Sequence, residues 1–89
     1  MIKVSVVVPV YNHWELIPNL ISSMEVQSLE KDEWELILVD NGSKEMPSEK
    51  ELPSFVTLLH CREPGSYAAR NLGLRNCSGE LIVFTDADC

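Results

Sequence analysis

Val4-Ser5-Val6-Val7-Val8-Pro9-Val10 is the stretch that decides the fold. Five of its residues are β-branched valines, and no polar residue alternates with them; Ser5 is the lone hydroxyl. A strand that shows no alternation has both faces buried, as in a parallel sheet covered by helices. Outward from it, Tyr11-Asn12-His13 reads as a turn. Ile17, Leu20, Ile21 and Met24 then recur at the spacing of an amphipathic helix. Pro18 fits that helix if it starts near Trp14, because a missing N–H costs little in the first turn. Trp34 to Val39 is a second buried strand ending at Asp40, with Asn41-Gly42-Ser43 as its turn. Residues 44–54 contain two prolines and read as a loop with at most one helical turn. Phe55 to Leu59 is a third strand. Pro64-Gly65-Ser66 opens a second helix, with Ser66 expected at its N-cap and Gly79 expected just past its end. Within it, Gly73 beside Ala68 and Ala69 implies close approach to the sheet, since an interior helical glycine otherwise costs about 1 kcal/mol. Leu81 to Thr85 is a fourth strand running into Asp86-Ala87-Asp88. Strands alternating with helical stretches give an α/β fold: one unit, residues 1–89, with a mostly parallel central sheet flanked by helices.

The 89 residues are 45% hydrophobic and 24% charged, a globular composition, with a formal net charge of −7. That charge argues against a nucleic-acid partner, which requires a basic stripe, and against direct binding to an anionic membrane. An acidic protein can still hold a phosphate ligand if a divalent cation bridges the two. Cys61, Cys77 and Cys89 contain no Cys-x-x-Cys pair and are too few for a disulfide scaffold. They are read as reduced thiols, which implies a cytoplasmic setting. The first apolar run is too short to span a membrane and has no signal-peptide cleavage pattern.

In open α/β sheets, ligands bind beyond the carboxyl ends of the strands. The first strand delivers Pro9, Tyr11 and Asn12 there, the second Asp40 to Ser43, the third Arg62 to Pro64, and the fourth Asp86 and Asp88. Two carboxylates two residues apart at a strand end suit one hard cation, Mg²⁺ or Mn²⁺, whose remaining positions can take diphosphate oxygens. They equally suit a merely solvated strand end. Asp40 can accept a hydrogen bond from a base N–H, or can belong to an ordinary Asn-Gly turn. Arg70, on the first turns of the second helix, can pair a phosphate, stack on a base or form a surface salt bridge. Tyr11 can stack on a base or pack. Trp14 and Trp34 read as packing residues, and His13 has no partner at metal-ligand spacing. No Gly-x-Gly-x-x-Gly, Walker-A loop or Gly-x-Ser-x-Gly is present.

Taken in order, Val-Ser-Val-Val-Val-Pro-Val-Tyr-Asn, Leu-Ile-Leu-Val-Asp-Asn-Gly-Ser, Gly-Ser-Tyr-Ala-Ala-Arg-Asn-Leu-Gly-Leu and Gly-Glu-Leu-Ile-Val-Phe-Thr-Asp-Ala-Asp resemble the family 2 glycosyltransferases over the entire chain. The resemblance implies a GT-A (Rossmann-like) fold and an inverting transfer from a nucleotide-diphospho-sugar, UDP-linked by preference, with Mn²⁺ or Mg²⁺. It implies Pro9 and Tyr11 in the base pocket, Asp40 on the base, Arg70 near the nucleotide, Asp86 near ribose and metal, and Asp88 on the metal. Family members continue well past the Asp-x-Asp, and often carry a further Asp where Cys89 stands. The later portion holds the acceptor site and the general base. The expectation is therefore a partial GT-A fold, cut after its fourth strand, that binds donor and metal but has no catalytic residue of its own. The acceptor is unknown, and membrane association would come through later regions. The alternative is a non-catalytic fragment that binds nucleotide or forms a homo-oligomer through an exposed sheet edge. Val-Phe-Thr-Asp-Ala-Asp also resembles the strand of haloacid-dehalogenase-type phosphatases, but those place the motif near the start of the domain.

Overall fold

The computed structural model describes residues 2–25, 33–45 and 47–85. In chain order these form β1 (Val4–Val10), a 3-10 turn (Trp14–Leu16) leading into α1 (Ile17–Glu25), β2 (Trp34–Asp40), a 3-10 turn (Glu49–Glu51), β3 (Val56–His60), α2 (Ser66–Arg75) and β4 (Leu81–Phe84). All four strands are parallel, in the order β3-β2-β1-β4. The expected α/β architecture is present, and the sheet is entirely rather than mostly parallel among the described residues.

The strand order explains the layers. The chain steps from β1 to β2 and β3 on one side, then returns past β1 to place β4 on the other. Right-handed crossovers in opposite directions put their helices on opposite faces. Strand alternation follows suit. Val8 and Val10 of β1, Leu36 and Leu38 of β2, and Val56 and Leu58 of β3 pack with Ile17, Ile21 and Met24 of α1. Val7, Ile37 and Val39 pack with Ala69 of α2. β2 is thus buried on both faces, and its run Leu36–Val39 is fully inaccessible. Each such side chain contributes about 1.5–3 kcal/mol by leaving water. Trp34 closes the first core against Phe55, with ring centroids 4.6 Å apart.

Two glycines fix the approach of α2 and of the segment after it. A Cβ on Gly73 would lie 2.4 Å from Val7 Cγ1, so the helix sits directly on β1. A Cβ on Gly79 would lie 2.7 Å from the backbone nitrogen of Ser5. This corrects the expectation that Gly79 follows the helix end as a cap. Asn76 occupies the C-cap, its N–H bonding Gly73 and Leu74 carbonyls. Gly79 is required three residues later, where its N–H donates to Ser5 Oγ at 2.7 Å. Ser5 Oγ–H in turn donates to Glu35 Oε2 at 2.6 Å, and that oxygen also accepts from the Ser78 N–H at 2.7 Å. The one hydroxyl in the valine run is therefore fully buried and fully paired.

The start of α2 is corrected as well. Gly65, not Ser66, holds the N-cap position, at φ 99° and with no side-chain cap, and Ser66 is the first helical residue. That φ suits glycine. Pro18 lies at the second position of α1, inside the first turn as expected.

Candidate functional site

The site lies at the carboxyl edge of the sheet, between β1 and β4, where strand order reverses. Such a switch point leaves a crevice, because the loops leaving the two strands diverge to opposite sides. Pro9 helps to open it. The β1–β4 register ends at Val7 opposite Phe84, and the Thr85 N–H donates to the Val7 carbonyl. Val7 therefore faces β4 with its backbone groups, and Pro9, two residues on, faces the same way beyond the end of that register. A proline is tolerated there because no ladder bond needs its N–H. Tyr11 follows just past the end of β1 and is 60% exposed.

Asp40 ends β2 one strand away. It is only 4% exposed, and both of its oxygens are engaged. Oδ1 accepts from Trp14 Nε1–H at 2.9 Å, while Oδ2 accepts from the N–H groups of Gly42 at 3.3 Å and Ser43 at 3.2 Å. Asp40 thus shapes its own turn and anchors the Trp14 indole. A carboxylate has about four acceptor sites, so these three bonds leave one. Gly42 takes φ 89° within this turn.

Two asparagines stitch the loops together. Asn12, at φ 62°, accepts on Oδ1 from the Lys44 N–H at 2.9 Å, and its own N–H donates to Ser43 Oγ at 2.7 Å. This joins the loops after β1 and β2. Asn41 Nδ2 donates to the Glu63 carbonyl at 2.7 Å, and Asn41 Oδ1 accepts from the Gly65 N–H at 3.0 Å. This joins the β2 turn to the start of α2. By local pattern both asparagines are turn residues and Trp14 is a packing residue. Their cross-loop bonds are not legible there, because a short Asx residue shows its own turn propensity but not the distant loop it will meet.

Arg70 is half-buried on the second turn of α2 and engaged with a neighbour. At about 100° per helical residue, it falls on the flank opposite Ala68 and Leu72. Ala68 and Leu72 share a hollow with the residues that follow β3, so the Arg70 flank is turned away from β3. Asp86 and Asp88 lie outside the described residues; β4 delivers the chain toward them at Thr85. Among the described residues, no cluster of three or more His, Cys, Asp or Glu is placed to hold a metal. No described helix is long and apolar enough to cross a membrane.

Residues 5–89 match the family described as glycosyl transferase family 2. The chain belongs to that family. Glycosyltransferase AglE of Haloferax volcanii is 36% identical over 92 residues, covering 97% of this chain and 30% of its own length. TarS 1-349 of S. aureus superposes with a TM-score of 0.86 at 28% identity, covering 98% of this chain and 28% of TarS. Its complex with UDP-GlcNAc superposes at 0.77. The mannosyltransferase PcManGT of Pyrobaculum calidifontis, in complex with GDP-Man and Mn²⁺, superposes at 0.80 with 31% identity, covering 97% of this chain and 27% of that protein. The chain thus spans less than a third of these relatives. The all-parallel sheet with helices on both faces agrees with the expected GT-A (Rossmann-like) fold.

Proposed function

We propose that this chain binds the nucleotide-diphospho-sugar donor of an inverting family 2 glycosyltransferase. The observation that carries the reading is the β1–β4 switch point of an all-parallel sheet, with Pro9 near the end of β1, Tyr11 just past it and Thr85 just past the end of β4. The base would lie against Tyr11 and Pro9, with its N–H directed at the free acceptor site of Asp40. The guanidinium of Arg70 would face the nucleotide. A UDP-linked donor is favoured by the likeness to TarS, which has been solved with UDP-GlcNAc. The likeness to PcManGT, solved with GDP-Man and Mn²⁺, supports a divalent cation and keeps GDP as the next nucleotide to try.

Asp86 and Asp88, which follow β4 in the sequence, fit a hard cation by their oxygen-donor chemistry. They would hold Mn²⁺ or Mg²⁺. When bound, the cation supplies Lewis-acid stabilisation of the diphosphate leaving group. The chain's own residues orient the base, bring backbone N–H groups to the crevice and hold the loops in register. On this reading the acceptor site and general base would come from elements beyond those that this chain matches in its relatives. A soluble nucleotide donor supports a cytoplasmic location for the site.

Calorimetric titration of UDP, with and without Mn²⁺, tests the reading. Binding that requires Mn²⁺ and is lost in Asp88→Ala is the expected result. Equal binding without metal, or in the variant, would contradict the metal assignment. Failure of UDP, GDP and dTDP alike would sink the donor-binding reading for this chain.

A further inference from the structure

A second hollow lies away from the donor crevice, on the outward side of α2 beside β3, the sheet edge opposite β4. Its volume is about 340 Å³, and its walls are the segment His60–Glu63 together with Tyr67, Ala68, Asn71, Leu72 and Arg75. That volume falls in the range of small-molecule sites. The chain carries a net charge of −7 and only three arginines, yet two of them, Arg62 and Arg75, border this hollow. Neither forms an ion pair among the described residues. Arg75 Nε–H donates only to the Asn71 carbonyl of its own helix, at 3.4 Å.

The arrangement follows from the helix. Tyr67, Asn71 and Arg75 repeat every four residues and form one exposed stripe about 12 Å long. Arg62 stands two residues past β3 and faces the start of that stripe. Ala68, Leu72 and Cys61 lie behind it and are half-buried, so the floor is apolar. Glu63 is the one carboxylate among the lining residues. Arg62 and Arg75 are the only Lys or Arg residues among the lining, so the two guanidinium groups supply its permanent positive charge.

We infer that this hollow is a second ligand site, for a phosphomonoester carrying a small apolar or planar body. Guanidinium groups recognise phosphate through paired, charge-assisted hydrogen bonds. The phenol of Tyr67 and the amide of Asn71 add neutral donors, and the apolar floor takes the body of the ligand. The same chemistry is offered by a free phosphomonoester or by a lipid headgroup of that type. The assignment is independent of the donor-binding reading, since it uses a different edge of the sheet and needs no metal.

The test titrates phenyl phosphate into ¹⁵N-labelled protein without divalent cations, with phenol as the neutral control. Saturable shifts centred on the amides of Arg62, Tyr67, Asn71 and Arg75 are expected, with none from phenol. Arg62→Gln with Arg75→Gln should raise the Kd about ten-fold or more. Both positions are exposed, so an otherwise unchanged amide spectrum shows that the variant remains folded. A second arm measures co-sedimentation with phosphatidylcholine vesicles containing phosphatidic acid. Arginine-dependent binding to vesicles, with weak binding of phenyl phosphate, identifies the lipid headgroup as the source; the reverse identifies a free phosphomonoester. No arginine-dependent binding in either arm, or shifts confined to Tyr11 and residues 40–43, would overturn the site.

Discussion

Gly73 sets two effects against each other. Replacing a helical glycine by alanine ordinarily gains about 1 kcal/mol. Here the new methyl would meet Val7 Cγ1 at 2.4 Å, and Val7 is fully buried among Ile37, Val39 and Ala69 under α2. Overpacking of that kind costs about 1–3 kcal/mol, so Gly73→Ala is predicted to destabilise, read as a lower urea midpoint. An unchanged or higher midpoint would mean that α2 stands off the sheet. Trp14 gives a second test. Trp14→Phe keeps an aromatic, though smaller, ring but removes the N–H whose bond Asp40 Oδ1 accepts, leaving a buried carboxylate oxygen short of a partner. A loss of about 1–3 kcal/mol is expected in the same measurement, together with weaker nucleotide binding. Cys77 supplies a pH dependence. Burial, more than any other influence, raises its thiol pKa, while a hydrogen bond with Ser5 lowers it and the Glu35 charge raises it. Because the folded value lies above the unfolded one, the fold favours the protonated thiol. That stabilisation is complete below the ordinary thiol value of about 8.5 and is lost as pH rises through the folded value. Alkylation of native Cys77 should accordingly set in at higher pH than that of a free thiol. An unshifted profile would contradict its packed position.

At the scale of elements, much was legible because each strand announces itself. The valine run of β1 and Trp34–Asp40 of β2 have no polar alternation, and only a sheet covered on both faces accounts for that. The α1 stripe was equally plain, with Pro18 marking its first turn. The ends of α2 were not legible. Ser66 is a better N-cap by composition than Gly65, but the chain reverses there at a φ that suits glycine. Gly79 resembles a helix terminator because the sequence does not show that it will meet the backbone of Ser5. The bonds that hold the loops around the candidate site were not legible for the same reason. Asn12, Asn41 and Trp14 act across 22 to 32 residues of chain, and local pattern carries no trace of such contacts. Asn41→Ala removes the bonds that tie the β2 turn to Glu63 and Gly65. Faster hydrogen exchange is expected at residues 63–67, with the centre of β2 still protected. Equal protection throughout would show that this stitching is dispensable.

For the whole molecule, the sheet is covered unevenly. Among the described residues β4 is an edge strand, and its Leu81 and Phe84 are 59% and 44% exposed. Val4, Val6, Leu20, Met24, Trp34, Val83 and Thr85 surround an open hollow on the α1 face beside it. An edge with this much apolar surface favours association, so the isolated chain is predicted to form dimers or larger assemblies in light scattering. Leu81→Lys with Val83→Lys should restore a monomer; a monodisperse monomer of the unaltered chain would contradict the prediction. The opposite edge carries the two arginines of the second hollow, so the two sides of the sheet differ in chemistry as well as in order. The central claim is that the crevice between β1 and β4 receives the nucleotide. Mapping ¹⁵N amide shifts on addition of UDP with Mg²⁺ tests it most directly. Saturable changes at Tyr11, Asn12, residues 41–43 and Thr85, with little change along Tyr67, Asn71 and Arg75, are the predicted result. Changes that bypass the ends of β1 and β4, or none at saturating UDP, GDP and dTDP, would contradict it.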